Sequence, residues 1–292
     1  MRQERFEFHS AGERLVGTLY LPDGAPAAAV VTTGPLTSVK EQAPAAYASA
    51  LAGRGFAALA FDHRYFGESG GRPRQFENPT AKVEDIRSAI AALAADRRTR
   101  DLPAAAVGIC AGGGYMAQAV AEEPRVRVFA GVAGVYTDAA QTRQWIGDGY
   151  DAAIRRARDA EAHWKKTGEA ETIPAVAPEG GDVAMPLREA YEFYGTPRGA
   201  VPNYVNGFAV QSRAYTLPFD AQVAAPAINA PTLIVHSEKA LAPALAHQFF
   251  DRLQAPKQEL WLQSQGQIDF YDDPKLIDPA ADAIAGFFTK VL

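Results

Sequence analysis

Cys110 is the only cysteine in the chain, and it stands between glycines in Gly108-Ile109-Cys110-Ala111-Gly112-Gly113. An apolar run from Ala104 to Ile109 precedes it and helix-compatible sequence from Tyr115 to Glu122 follows, so the stretch reads as strand, sharp turn and helix with a thiol at the apex. A residue on such a turn is held in a strained backbone, and the residues two before and two after it must be small to avoid each other. Gly108 and Gly112 occupy those two places. A thiolate is strongly nucleophilic, and a helix N-terminus lowers the pKa of a thiol placed there, so covalent attack on a carbonyl is the chemistry open to Cys110. The plain alternative is a small buried hydrophobe.

Presenting a thiol in this way requires a sheet. Ala27 to Thr32, Ala57 to Phe61, Ala104 to Ile109 and Val126 to Val135 are apolar runs of strand length, the mark of strands buried on both faces. Helix-length stretches separate them, near Glu41 to Arg54 and Thr80 to Ala95; in the second, Val83, Ile86, Ile90 and Leu93 form one apolar stripe. Arg5 to Ser10 and Leu15 to Leu21 alternate about Ala11-Gly12-Glu13 and predict an antiparallel hairpin. Strands alternating with helices predict parallel pairing with right-handed crossovers, and binding chemistry beyond the carboxyl ends of the strands.

The rhythm breaks from Tyr136 to about Pro226, which is richer in charge, Pro, Gly and aromatics and is helical near Tyr150 to Lys166 and Pro186 to Tyr194. It reads as a helical lid. The rhythm resumes with a strand (Thr232 to Ser237), a helix (Pro243 to Leu253), a strand (Lys257 to Leu262) and a terminal helix (Pro279 to Leu292). The predicted class is α/β: a mostly parallel eight-stranded sheet with helices on both faces and a lid inserted after the sixth strand. Residues 1–136 and 227–292 form the core in this reading, and 137–226 the lid.

An apolar fraction of 48% suits a globular chain with a sizeable core, and the net charge of −5 offers no footprint for nucleic acid or an anionic membrane surface. No apolar run approaches the ~18 residues of a membrane helix. The polar start Met1-Arg2-Gln3-Glu4-Arg5 is not expected to be a signal peptide, so a cytoplasmic protein is expected. Gly112-Gly113-Gly114 is followed by no Lys-Ser or Lys-Thr, and the histidines show no metal-ligand spacing, so neither cofactor nor metal is expected.

In the order of its elements, its elbow and the position of its insertion, the chain resembles the α/β-hydrolase superfamily over essentially its whole length, with Cys110 where the G-x-S-x-G elbow has serine. Phe61-Asp62-His63-Arg64-Tyr65-Phe66-Gly67-Glu68-Ser69-Gly70 and Val39-Lys40-Glu41-Gln42 are similar to strings of the dienelactone-hydrolase-like and small esterase-like branches. The resemblance implies the α/β-hydrolase fold and acyl transfer, with an oxyanion held by the N–H groups of Ala111 and Leu36; Pro35 has no N–H to give. It also implies an acid after the seventh strand and a histidine after the eighth. Ala240 stands in the acid slot, with Glu238 the only nearby carboxylate, and Gln267 stands in the histidine slot. A glutamine takes no proton at neutral pH.

His63, at the end of the Ala57 strand, and His163, beside Trp164 in the lid, are the substitute bases; their plain readings are a loop pin between Asp62 and Arg64 and a surface helix residue. His236 reads as a core histidine, His9 and His247 as bystanders, and Asp269 as a turn residue. Trp145, Tyr150, Trp164, Tyr191 and Tyr194 read mostly as lid core, with some of them expected to line a pocket for an apolar substrate, Trp145, Tyr150 and Tyr191 together with Tyr65 being the choices. The expected function is cysteine-dependent acyl transfer, of esterase, thioesterase or lactone hydrolase type, on a small apolar or aromatic carbonyl compound. The alternatives are a non-hydrolytic lyase, isomerase or cyclase on the same scaffold, and an inactive small-molecule-binding protein. Beyond that small molecule no partner is implied; a homo-oligomer is left open.

Overall fold

The computed structural model describes residues 1–292. The alternating N-terminal stretches form a hairpin, β1 (Arg2–Ser10) and β2 (Glu13–Leu21), turning at Ala11 and Gly12 with φ of 45° and 84°. The apolar runs form β3 (Ala29–Thr33), β4 (Ala57–Phe61), β5 (Ala104–Ile109) and β6 (Val126–Val132), separated by α1 (Ala43–Ala52), α2 (Pro79–Ala95) and α3 (Ala111–Glu122). The last run is shorter than its apolar sequence suggests. Ala133 takes φ 42°, and the Tyr136 ring folds back over Gly131 and Gly134, into space that a β-carbon at either glycine would occupy.

Between β6 and the next long strand lie α4 (Ala139–Ile146), α5 (Gly149–Thr167), β7 (Thr172–Ile173), α6 (Arg188–Tyr194), β8 (Phe208–Ala209) and α7 (Arg213–Thr216). The sequence reading missed α4, although Asp138 caps it by accepting from the N–H groups of Ala140 and Gln141. This insertion has an apolar cluster of its own, Ala160, Ile173, Phe208 and Val210. The chain then returns through β9 (Thr232–His236), α8 (Pro243–Arg252), β10 (Lys257–Trp261), α9 (Asp269–Asp272) and α10 (Pro274–Val291). Helix α10 starts at Pro274 rather than Pro279: Asp273 caps it and Pro274 takes the first turn, where a missing N–H costs nothing, so Pro279 falls inside.

The strands form an eight-stranded α/β-hydrolase sheet in the order β1-β2-β4-β3-β5-β6-β9-β10, in which only β2 runs against the rest. Strand alternation sends Val30, Ala58, Val107 and Val235 to one face, where they meet Tyr47 and Leu51 of α1 and Ile284 and Phe288 of α10. Val31, Leu59, Ala106 and Ile234 pack on the other against Ile86 and Ile90 of α2, Met116 of α3 and Phe249 of α8. With both faces covered, the open ground is at the strand ends, and the insertion crosses above their carboxyl side. No helix is long and apolar enough to cross a membrane.

Candidate active site

Cys110 joins β5 to α3 with φ 56° and ψ −126°, a conformation costing about 1–3 kcal/mol that the surroundings must hold. Those surroundings are backbone. A β-carbon on Gly108 would lie 2.5 Å from the Gly112 carbonyl oxygen, and one on Gly112 would lie 2.6 Å from the Gly34 oxygen and 2.8 Å from the Thr33 oxygen. Ala111 opens α3, so its N–H has no acceptor within the helix. The loop after β3 is shaped by Thr37 at φ 62°, whose N–H donates to Glu77 Oε2 at 3.1 Å, and by Ser38, whose hydroxyl donates to Pro35 O at 2.8 Å. Leu36 and Ala111 line the same cavity as Cys110, and their backbone N–H groups favour its thiolate.

The opposite side of the sulfur is built by the loop after β10. Gln267 Oε1 accepts the Leu241 N–H at 2.9 Å, while Nε2 donates to Ala133 O at 2.9 Å and to Tyr271 Oη at 3.3 Å. Both ends of the amide are thereby fixed. The Gln267 backbone N–H donates to Glu189 Oε2 of α6 at 3.0 Å, tying this loop to the insertion. Tyr271 and Gln267 both line the cavity with Cys110.

Above the sulfur is a cavity of about 410 Å³, walled mainly by apolar side chains of the insertion and by Tyr115, Tyr194 and Tyr271. Cys110 is 7% exposed at its floor. Burial pushes the thiol up from its ordinary value, outweighing the contacts from Tyr271, Ala111, Leu36 and Gln267 that favour the thiolate. The expectation that the helix N-terminus lowers this pKa is thus corrected: desolvation wins. Because the protonated form is favoured, alkylation of Cys110 by iodoacetamide should climb roughly tenfold per pH unit through neutrality and still be climbing where a free thiol, pKa near 8.5, levels off. A rate profile that levels below pH 8 would contradict this.

Several sequence candidates lie elsewhere. Glu238 is exposed at the end of β9 and pairs with His247 Nε2 at 3.0 Å, because the chain turns outward there; it faces solvent rather than the thiol. His63 is buried under β4, with Nδ1 3.4 Å from Asp85 Oδ2 and its ring on Phe61, and does not border the cavity. His163 is exposed on α5. Of the aromatics from which lining residues were expected, Tyr194 borders the cavity, whereas Tyr65, Trp145, Tyr150 and Tyr191 do not. Trp145 is 64% exposed on α4, Tyr150 lies under the Arg143 guanidinium, Tyr65 packs on Phe76, and α6 turns Tyr194 rather than Tyr191 toward the cavity. His236 is a core residue, its ring nitrogens against the Ser237 and Gly134 carbonyls, and Asp269 accepts the Gln265 N–H in a turn.

Two features escaped sequence reading. Tyr271 follows Gln267 by four residues, and the helical phase of that spacing was the available signal. Glu77, wholly buried, accepts from the Tyr115 hydroxyl at 2.9 Å and pairs with the buried Lys82 Nζ at 2.7 Å while holding the Thr37 N–H. Nothing in its local sequence marks it.

A family model described as serine aminopeptidase, S33, a hydrolase family, matches residues 26–148. The uncharacterised protein YcjY of Escherichia coli (strain K12) is 30% identical over 271 residues, covering 90% of this chain and 89% of the relative. The uncharacterised protein PA2218 of Pseudomonas aeruginosa is 32% identical over 301 residues, covering 96% of this chain and 78% of the relative, and its crystal structure superposes with a TM-score of 0.84 over 100% of this chain and 94% of that one. The structure of DcsB in complex with its substrate analogue superposes with a TM-score of 0.87 at 21% identity, covering all of both chains.

Proposed function

From the premise that the chain belongs to the α/β-hydrolase family, with YcjY and PA2218 as relatives, we propose that it is a cysteine-dependent acyl-transfer enzyme acting on a small apolar or aromatic ester, thioester or lactone. The observation that carries this reading is that Cys110, at the apex of its strained turn, lines one cavity with Leu36 and with Ala111, whose N–H opens α3 and has no helical acceptor. In the proposed step the sulfur adds to the substrate carbonyl, the carbonyl oxygen takes the charge, and the two amides stabilise it; removing one such donor costs about 10²–10³ in rate in other acyl-transfer enzymes. The apolar wall takes the acyl or aryl group, with the insertion serving as its lid. The volume suits a small substrate.

Release of the acyl group is where this site departs from ordinary hydrolysis. Gln267 cannot activate water, and neither His63 nor His163 borders the cavity. That favours a second reading within the same chemistry: the acyl group passes to an acceptor within or beside the substrate, as in a cyclase, more readily than to water.

Intact-mass measurement after exposure to an activated aryl ester tests the reading. The wild-type chain should gain one acyl group and lose it slowly, and Cys110→Ala should gain none. A wild type that stays unmodified, or a Cys110→Ala variant that turns over the ester equally well, would sink it.

A further inference from the structure

We propose that Tyr271 sets the size limit of the acyl group. Its ring is the wall between the Cys110 cavity and a second cavity, and it confines the substrate to a short acyl chain or a single aryl ring; the proposal deepens the acyl-transfer reading above and rests on it. The second cavity, of about 380 Å³, is bordered by residues of α1, α6 and α10. Ala45, Ala46, Phe193, Val201 and Ile277 give it apolar walls, and the ion pair of Arg198 with Asp272, at 2.6 Å, stands on its border. Tyr271 alone borders both cavities.

Ring contacts put the side chain, and not only the backbone, between the two. The Tyr271 ring centre is 5.7 Å from that of Phe193, which borders the second cavity and not the first. It is 6.5 Å from that of Tyr194, which borders the first and not the second. Phe193 meets the ring edge-on, with 76° between the planes, an arrangement that aromatic pairs favour. The hydroxyl end is held from the side of the Cys110 cavity, where Gln267 Nε2 donates to Oη at 3.3 Å. That amide is itself fixed by Ala133 O and the Leu241 N–H, so the ring is tethered at one end and packed at the other. Gln267, in the slot where the family has histidine, thus serves the shape of the site rather than proton transfer. An acyl group on Cys110 that lengthens toward Tyr271 meets the ring, and behind the ring lies apolar space that a longer chain would occupy if the ring were removed.

Alkyl methanethiosulfonates read this limit directly, because the Cys110 sulfur attacks their thiol sulfur, forms a mixed disulfide and releases methanesulfinate, whatever the natural substrate. Rates followed by intact mass, taken relative to free cysteine, should fall by about tenfold or more from the butyl to the octyl reagent in the wild type. Tyr271→Ala should raise the octyl-to-butyl ratio by about tenfold or more, and Tyr271→Leu, which keeps apolar packing, should raise it in the same direction. Tyr271→Phe keeps the ring and should keep the wild-type ratio. The same order is expected for acylation by p-nitrophenyl octanoate against p-nitrophenyl butyrate. A wild type that takes octyl as fast as butyl, or a ratio that neither Tyr271→Ala nor Tyr271→Leu moves, overturns the assignment. Rates that change equally for both chain lengths overturn it too, by showing a merely structural role. A wild type acylated by neither ester overturns the acyl-transfer reading itself, and the methanethiosulfonate ratios then decide the partition alone.

Discussion

Glu77→Ala is expected to destabilise the fold by about 3–5 kcal/mol, the range found when one partner of a buried ion pair is removed and the other is left charged. Lys82 is that partner. Its ammonium is buried over the rings of Phe66 and Tyr115, 4.7 and 5.4 Å from their centres, with Glu77 as its ion-pair partner. The same substitution frees the Thr37 N–H and the Tyr115 hydroxyl, so the loop carrying the Leu36 amide loses its anchor and acylation of Cys110 should slow tenfold or more. Urea unfolding measures the first effect and single-turnover mass the second. The double variant Glu77→Leu with Lys82→Met should recover most of the stability, since apolar replacement of a whole buried pair is near neutral, but not the acylation rate. If Glu77→Ala unfolds within 1 kcal/mol of wild type, the buried pair is not acting as described.

Gly112→Ala should be worse tolerated than its single methyl group suggests. The added carbon would meet the Gly34 and Thr33 carbonyl oxygens at 2.6 and 2.8 Å, and Thr33, held by the pairing of β3 with β5, cannot move without breaking that register. Overpacking of well-packed interiors ordinarily costs about 1–3 kcal/mol. Here the obstacle is backbone, so the upper end of that range is expected, together with loss of Cys110 acylation as the turn is pried from Leu36. Gly286→Ala is the control: it lies in α10, its β-carbon meets nothing within 4 Å, and it should stabilise by about 0.5–1 kcal/mol. The same sign for both substitutions would mean that the elbow is looser than its contacts indicate.

How much of this was legible in the sequence depends on how local each requirement is. Runs such as Ala57 to Phe61 declare buried strands because every residue in them is covered on both sides, and the elbow declares itself because Gly108 and Gly112 answer a collision within four residues of Cys110. Gln267 was found only through the family's order of elements, and nothing around it announces that its amide is held by Ala133 and Leu241. Glu77 and Tyr271 could not be found that way: a glutamate beside Asn78-Pro79 reads as a helix start and a tyrosine after Phe270 as core, and only their contacts with Thr37 and Gln267 give them work. The aromatics of the insertion failed for a related reason. A helix packed on two sides offers several faces to apolar neighbours, and periodicity does not say which of Tyr191 or Tyr194 looks into the cavity.

The sheet's outer strands, β1 and β10, each leave one row of backbone groups without a strand neighbour. Such rows invite other chains to add on and grow into aggregates. On β1 the solvent side carries Arg5 and Glu7, joined at 2.7 Å, with Arg5 also held to Glu68 and Glu7 to Arg14, so an incoming strand would have to strip water from a charged lattice. On β10, Lys257 spans the carbonyls of Phe250, Asp251 and Leu253 and sets a fixed positive charge at the strand's start. Charge is thus placed at both margins of the sheet, where it disfavours edge-to-edge addition of another strand.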